Sequence, residues 1–294
     1  MNYPIQQKFI TSFDGTKIGY QVMGEGKQTF VLCNGLGGSA IAWSPIYNTF
    51  GDKFKFITWD YRGLFTSDRP EDLTLMTIAH HAEDLDAVLK KEKITSAIFG
   101  GWSMGVQVCL EYFRKNSRKF RGIFLINGTS GDPLHTALNS RLAKYIIPHV
   151  NTLLKKSMPK LQPHLRPIAK QVINREEFIG IVAKLGLIHK NLDSELFRAV
   201  AQGMMETDLS LYHHVLEYLA KHSARDMLPK IKVPTLIVAS TRDLMTPVST
   251  AEDMAEHIPN AELFILNNAS HYSLLEFPDI INKRLGQFLH EYFE

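Results

Sequence analysis

The stretch Ala97-Ile-Phe-Gly-Gly-Trp-Ser-Met-Gly-Val-Gln-Val-Cys-Leu110 decides the fold of this chain. Ala97 to Gly100 reads as a short buried strand and Val106 to Phe113 has helical spacing. Gly101-Trp102-Ser103-Met104-Gly105 joins them in a turn with Ser103 at its apex. Glycines two residues to either side permit a crowded backbone that raises a serine hydroxyl above the end of a sheet. The spacing alone could mark a structural turn. Its position at a strand-to-helix switch, after several strand and helix units, makes Ser103 the candidate nucleophile.

Working outward, Phe9 to Val22 reads as two antiparallel strands joined at Asp14-Gly15. Thr29 to Cys33 is a continuous apolar run, as expected of a strand covered on both faces, and Phe54 to Trp59 reads as the next buried strand. Thr77 to Lys91 carries an apolar helical stripe, and Gly122 to Ile126 is a further strand. The alternation predicts a mostly parallel sheet with helices on both faces. It stops at Asn127-Gly-Thr-Ser-Gly-Asp-Pro133, and the next ninety or so residues are helix-like, with Pro148, Pro159, Pro163 and Pro167 expected to break them into short pieces. Strands at Thr235 to Ser240 and Glu262 to Leu266, a helix near Ser249 to His257 and a closing helix from Leu274 to Phe293 restore the pattern. The domain reading is a core of residues 1–132 and 226–294 interrupted by a helical cap at 133–225.

The 294 residues, 45% of them apolar, suffice for one large core with an insertion. The net charge of +3 is too mild for a nucleic-acid partner. Residues 133–225 hold 13 Lys and Arg against 7 Asp and Glu, a balance of +6, so the rest sums to −3. That excess reads as solvated helix faces, or alternatively as weak attraction to an anionic membrane surface or acyl substrate. No stretch reads as a signal peptide or membrane span, so a cytoplasmic protein is expected. Cys33 and Cys109 lie in apolar surroundings, far apart in sequence, and suggest neither a disulfide framework nor a thiolate metal site. No metal is implied and no cofactor is needed.

A serine hydroxyl is a poor nucleophile near neutral pH and needs a base, an orienting carboxylate and donors for the oxyanion. His271, in Asn268-Ala-Ser-His-Tyr272 just beyond the last strand, is the candidate base. Most other histidines fall on predicted helices or in the cap, where a solvated or core imidazole is the simpler reading. Asp243, just past the strand Thr235 to Ser240, is the candidate acid; Asp132 is its rival after an earlier strand, and Asp226 precedes its strand. The backbone N–H groups of Leu36, in the glycine-rich loop Asn34 to Gly38, and of Met104 are the candidate oxyanion donors.

Taken together these motifs resemble the α/β-hydrolase fold family over almost the whole chain. Asn34 to Gly38 resembles its H-G-x-x-G loop, Asp60-Tyr-Arg-Gly63 its D-x-R-G turn, and Ser270 to Pro278 its histidine loop. The elbow is similar to those of carboxylesterases and lipase-like enzymes. Asn34 stands where the family usually has His, and Leu64-Phe65 where it has His-Gly. The resemblance implies a mostly parallel eight-stranded sheet with an inserted cap. It also implies a serine hydrolase that cleaves carboxylic esters of a small to medium hydrophobic acyl group through an acyl-enzyme on Ser103. A C–C bond hydrolase and a cofactor-free perhydrolase would use the same three residues, and a hydrolase-fold receptor would hold a ligand without turnover. The stretches Tyr145 to Ile147, Phe178 to Val182 and Leu209 to Tyr212 would suit an acyl pocket, although apolar residues at helical spacing are more often packing. Met204-Met205 reads as core filling.

Overall fold

The computed structural model describes residues 3–131 and 143–294. Among them β1 (Gln6–Thr11) and β2 (Lys17–Met23) form the opening antiparallel pair, with Gly15 in the turn at φ +87°. β3 (Gln28–Cys33), α1 (Ser44–Phe50), β4 (Phe54–Trp59), α2 (Ile78–Lys91), β5 (Ala97–Trp102), α3 (Met104–Asn116) and β6 (Phe120–Ile126) follow. The helices α4 (Ala143–Asn174), α5 (Glu177–Lys184), α6 (Ser194–Glu206) and α7 (Leu209–Lys221) lie between β6 and β7 (Thr235–Ser240). The chain closes with α8 (Val248–His257), β8 (Ala261–Leu266), the short α9 (Ser273–Glu276) and α10 (Pro278–Phe293).

The strands form one eight-stranded sheet in the order β1-β2-β4-β3-β5-β6-β7-β8, parallel from β4 through β8 and antiparallel at the β1 and β2 edge. Both faces are covered, which is why the central strands read as near-continuous apolar runs. Along β3, Val31 and Cys33 join the apolar cluster on one face while Phe30 and Leu32 join the other, as the period of two requires. Cys33 and Cys109, distant in sequence, meet in the first cluster as free thiols, and burial beside Cys109 pushes the Cys33 thiol well up.

Two helical expectations are corrected. The prolines at 148, 159, 163 and 167 do not divide their segment, because α4 runs through all four. A proline removes one intrahelical bond and can be absorbed when neighbouring turns and packing hold the axis. The single closing helix is instead two: Phe277, at φ −135° and ψ 50°, separates α9 from α10. Pro278 disfavours helical geometry at the residue before it and opens α10 at its first position.

The Asp60 to Gly63 turn is fixed by a buried ion pair. Arg62 is fully buried, with Nη2 2.6 Å and Nε 2.9 Å from the two oxygens of Asp84, and Nη1 2.9 Å from Asp14. Burial pushes the Asp84 carboxyl up, against the pull of Arg62 and the Ser12 hydroxyl. Replacing Arg62 with Met would strand that carboxylate, so the variant is expected to lose about 3–5 kcal/mol in urea unfolding. Replacing Asp84 with Leu as well should restore much of the loss; equal stability of wild type and Arg62→Met would contradict this account.

Candidate active site

Ser103 occupies the turn between β5 and α3 at φ 57° and ψ −121°, a conformation rare for a residue with a side chain. The flanking glycines are required by contact. A Cβ on Gly105 would stand 2.0 Å from the carbonyl oxygen of Cys33, and one on Gly101 would stand 2.6 Å from that of Gly105. The turn is pinned by Ser103 N–H donating to Ile126 O at 3.1 Å and by Val106 N–H returning to Ser103 O at 3.0 Å.

His271 sits on the loop between β8 and α9, with its Nε2 2.9 Å from Ser103 Oγ and its Nδ1 2.8 Å from Asp243 Oδ2. The carboxylate selects the tautomer with the proton on Nδ1, so Nε2 presents its lone pair to the serine hydroxyl. The loop is held from two sides: Trp102 Nε1 donates to the His271 carbonyl at 3.1 Å, and the backbone N–H and hydroxyl of Ser270 both donate to the buried Glu276. Glu276 also accepts from His189 N–H at 2.7 Å, which ties the histidine loop to the helical insertion.

Asp243 follows β7 and is 4% exposed, yet it is richly solvated by protein. Oδ1 accepts from the N–H groups of Met245 and Thr246 at 2.8 and 2.9 Å. Oδ2 accepts from Thr246 Oγ1 at 2.7 Å, Asn127 Nδ2 at 2.8 Å and His271. Burial works to raise its pKa, but the charge and hydrogen bond of His271, with the Thr246 and Asn127 donors, hold the carboxyl below the usual range. Asp132 lies outside the described residues. Asp226 is at the surface in an ion pair with Arg114 and takes no part in the site.

The loop after β3 lies against the elbow. A Cβ on Gly35 would be 3.0 Å from the Trp102 ring and 3.3 Å from Ser103 Cβ, and Gly37 adopts φ +77°. Asn34 supports it with its amide: Nδ2 donates to Trp59 O at 2.8 Å and Oδ1 accepts from Trp43 Nε1 at 2.9 Å. Tyr61 OH donates to the Asn34 carbonyl at 2.6 Å. Leu36 and Met104 both border the cavity over Ser103. Met104 is the first residue of α3, so its N–H has no intrahelical acceptor and is available to an anion.

That cavity, of about 460 Å³, is walled by Leu36, Met104, Met204, Tyr212, Leu216 and Leu219 around Ser103 and His271. Met204 therefore lines it rather than filling core, and of the stretch Leu209 to Tyr212 only Tyr212 reaches it while Leu211 is in the main core. Phe178, Ile179 and Val182 pack against the second core cluster. The side chains of Tyr145 to Ile147 lie outside the described residues. Sequence reasoning missed Asn127, Thr246, Trp102 and Glu276. An Asn-Gly pair ending a strand at this sheet edge was a usable sign for Asn127, which tolerates its φ of 45° better than most residues. Among the described residues no cluster of three His, Cys, Asp or Glu is arranged to hold a metal ion.

The arrangement can deprotonate a hydroxyl, pass the proton along Nε2 and hold the resulting imidazolium against a carboxylate. Comparison with known proteins agrees with the fold. A 3-oxoadipate enol-lactonase of Acinetobacter baylyi is 26% identical over 276 residues, covering 94% of each chain. A protein of Agrobacterium fabrum named as a carbamate hydrolase, RutD, is 26% identical over 269 residues, covering 89% of this chain and 92% of its own. The esterase structure from Exiguobacterium antarcticum superposes with a TM-score of 0.77 at 21% identity, covering 97% of this chain and all of that one. The model of the alpha/beta hydrolase fold matches residues 28–152 and 209–278, and with that match the chain belongs to the α/β-hydrolase fold family of hydrolases.

Proposed function

We propose that this hydrolase is a serine esterase that cleaves carboxylic esters, lactones included, of small to medium hydrophobic acyl groups. The observation that carries the reading is the unbroken chain from Ser103 through His271 to Asp243, with links of 2.9 and 2.8 Å, beneath an apolar cavity. The enol-lactonase and esterase relatives support acyl chemistry.

Ser103 Oγ attacks the ester carbonyl while His271 Nε2 takes its proton, and the N–H groups of Leu36 and Met104 hold the tetrahedral oxyanion. Collapse breaks the bond to the leaving alkoxide, which takes the proton from His271 and departs as the alcohol, leaving acyl-Ser103. Water then repeats the sequence with His271 as base and releases the acid. The helices between β6 and β7 act as a cap whose Met204, Tyr212, Leu216 and Leu219 form the roof over the acyl group. No step calls for a cofactor.

The test is release of p-nitrophenol from acyl esters of increasing chain length, with fluorophosphonate labelling and mapping of the labelled residue. The expected result is label on Ser103 and a rate that rises with chain length and then falls as the acyl group outgrows the cavity. Absence of both label and turnover, on every chain length, would remove the reading.

A further inference from the structure

The insertion carries a surface that the reaction does not use. Residues 143–174, the whole of α4, contain six Lys and Arg and no Asp or Glu. The helix is attached along one face. Gln162 donates to Thr207 O and accepts from Leu209 N–H, Arg198 donates to Ile173 O, and the side chain of Ile173 is buried. Beside that face Val150, Leu153, Leu161, Leu165, Ile168 and Val172 recur at spacings of three, four and eight residues and stay 41 to 67% exposed. Spacings of that kind put all six on one stripe about a third of the circumference wide. Lys156 and Lys160 are exposed on its flank.

A soluble helix that turns its apolar stripe inward gains stability; this one turns an apolar stripe outward. Exposed apolar side chains gathered on one face of a helix mark a binding site. The combination of an apolar stripe, flanking lysines and no acidic residue is that of a helix lying in the plane of a lipid surface, with its lysines at the headgroups. No described helix is long and apolar enough to cross a membrane, so the contact is interfacial. The exposed apolar series continues in sequence through Ile181 and Leu185 to Leu187, which lines the cavity with Leu244 and Met245; these three are 44 to 47% exposed.

We infer that α4 docks the enzyme on an anionic lipid surface, with the stripe Val150 to Val172 in the acyl boundary and Lys156 and Lys160 against the headgroups. An acidic protein partner would be met by the same charges but would leave so long and convex an apolar stripe unfilled. The contact supplies the cavity with apolar esters dissolved in the lipid, and it holds whatever bond the site cleaves.

The experiment is co-sedimentation of the full chain with vesicles of phosphatidylcholine alone or with about a third phosphatidylserine. The wild type is expected to pellet with the anionic vesicles at low salt, to remain in the supernatant with the neutral ones, and to be released as salt shortens the screening length. Lys156→Glu with Lys160→Glu should weaken binding on the order of twentyfold or more, about fivefold for each lysine lost. Leu165→Ser with Ile168→Ser should cost a similar factor. Both variants alter exposed residues and should keep the wild-type rate on a short water-soluble ester, which shows them folded; their circular dichroism serves if no ester is turned over. Absence of binding at low salt would overturn the inference, as would binding unaltered in both variants. So would sedimentation equilibrium showing a dimer that Leu165→Ser with Ile168→Ser dissociates, since a second copy would then cover the stripe.

Discussion

Ser103→Ala and His271→Ala are each expected to lower kcat for a p-nitrophenyl ester on the order of 10⁶-fold. The double variant should cost no more than either alone, because the two residues act as one unit. The physical basis is the 2.9 Å contact between His271 Nε2 and Ser103 Oγ. Without the imidazole the hydroxyl keeps its proton, and without the hydroxyl the imidazole has nothing to activate except water. The residual rate would come from the Leu36 and Met104 donors, which still stabilise an oxyanion formed by water attack. Stopped-assay release of p-nitrophenol under saturating ester is the measurement, with thermal unfolding as a control. Either single variant retaining a rate within tenfold of wild type would reject the mechanism, and additive losses in the double variant would mean that the residues act separately.

Asp243→Asn is expected to lower kcat about 10⁴-fold. The carboxylate now accepts five hydrogen bonds, two on Oδ1 and three on Oδ2. An asparagine has one oxygen, so whichever way its amide turns, its NH₂ meets at least two donors. If it faces His271, the proton moves to Nε2 and the ring can no longer accept from Ser103. The same variant should lose stability with a defined pH dependence. Because the folded carboxyl is held below the usual range, its contribution is complete above the unfolded value of about 3.9 and disappears as pH falls through the lowered folded value. The difference in urea midpoint between wild type and Asp243→Asn should therefore shrink on acidification below that range. Asp226→Asn, on the surface, should leave kcat unchanged. A fall in kcat for Asp226→Asn, or its absence for Asp243→Asn, would move the acid elsewhere.

Much of this was legible in the chain. The elbow could be recognised because its requirements are local: a sharp strand-to-helix turn needs glycine where Cβ atoms would strike Cys33 O and Gly105 O, and those contacts are made within one βα unit and its neighbour strand. The meeting of His271 and Asp243 with Ser103 was readable from loop position, since loops after parallel strands collect at one sheet edge. Asn127 and Thr246 were not singled out, because their value is the geometry of their hydrogen bonds to Asp243, and short polar residues in loops are common. Met204 was misread for a related reason. Its apolar character suits core and cavity wall equally, and which it borders depends on where α6 comes to rest. The proline-rich insertion was misread because local propensity argues for short helices, whereas packing against α6 and α7 sustains one long helix.

By itself the sequence determined the order of the strands, the alternation of buried faces and the sharp turn that carries Ser103, because each depends on periodicity or on steric demands within a few residues. The tertiary structure alone decided the hydrogen-bond shell of Asp243, the cavity walls, the meeting of Cys33 with Cys109 and the outward turn of the α4 stripe. Those properties arise from contacts between segments up to more than a hundred residues apart, and nothing in the pattern of one segment specifies which side chain another will place against it.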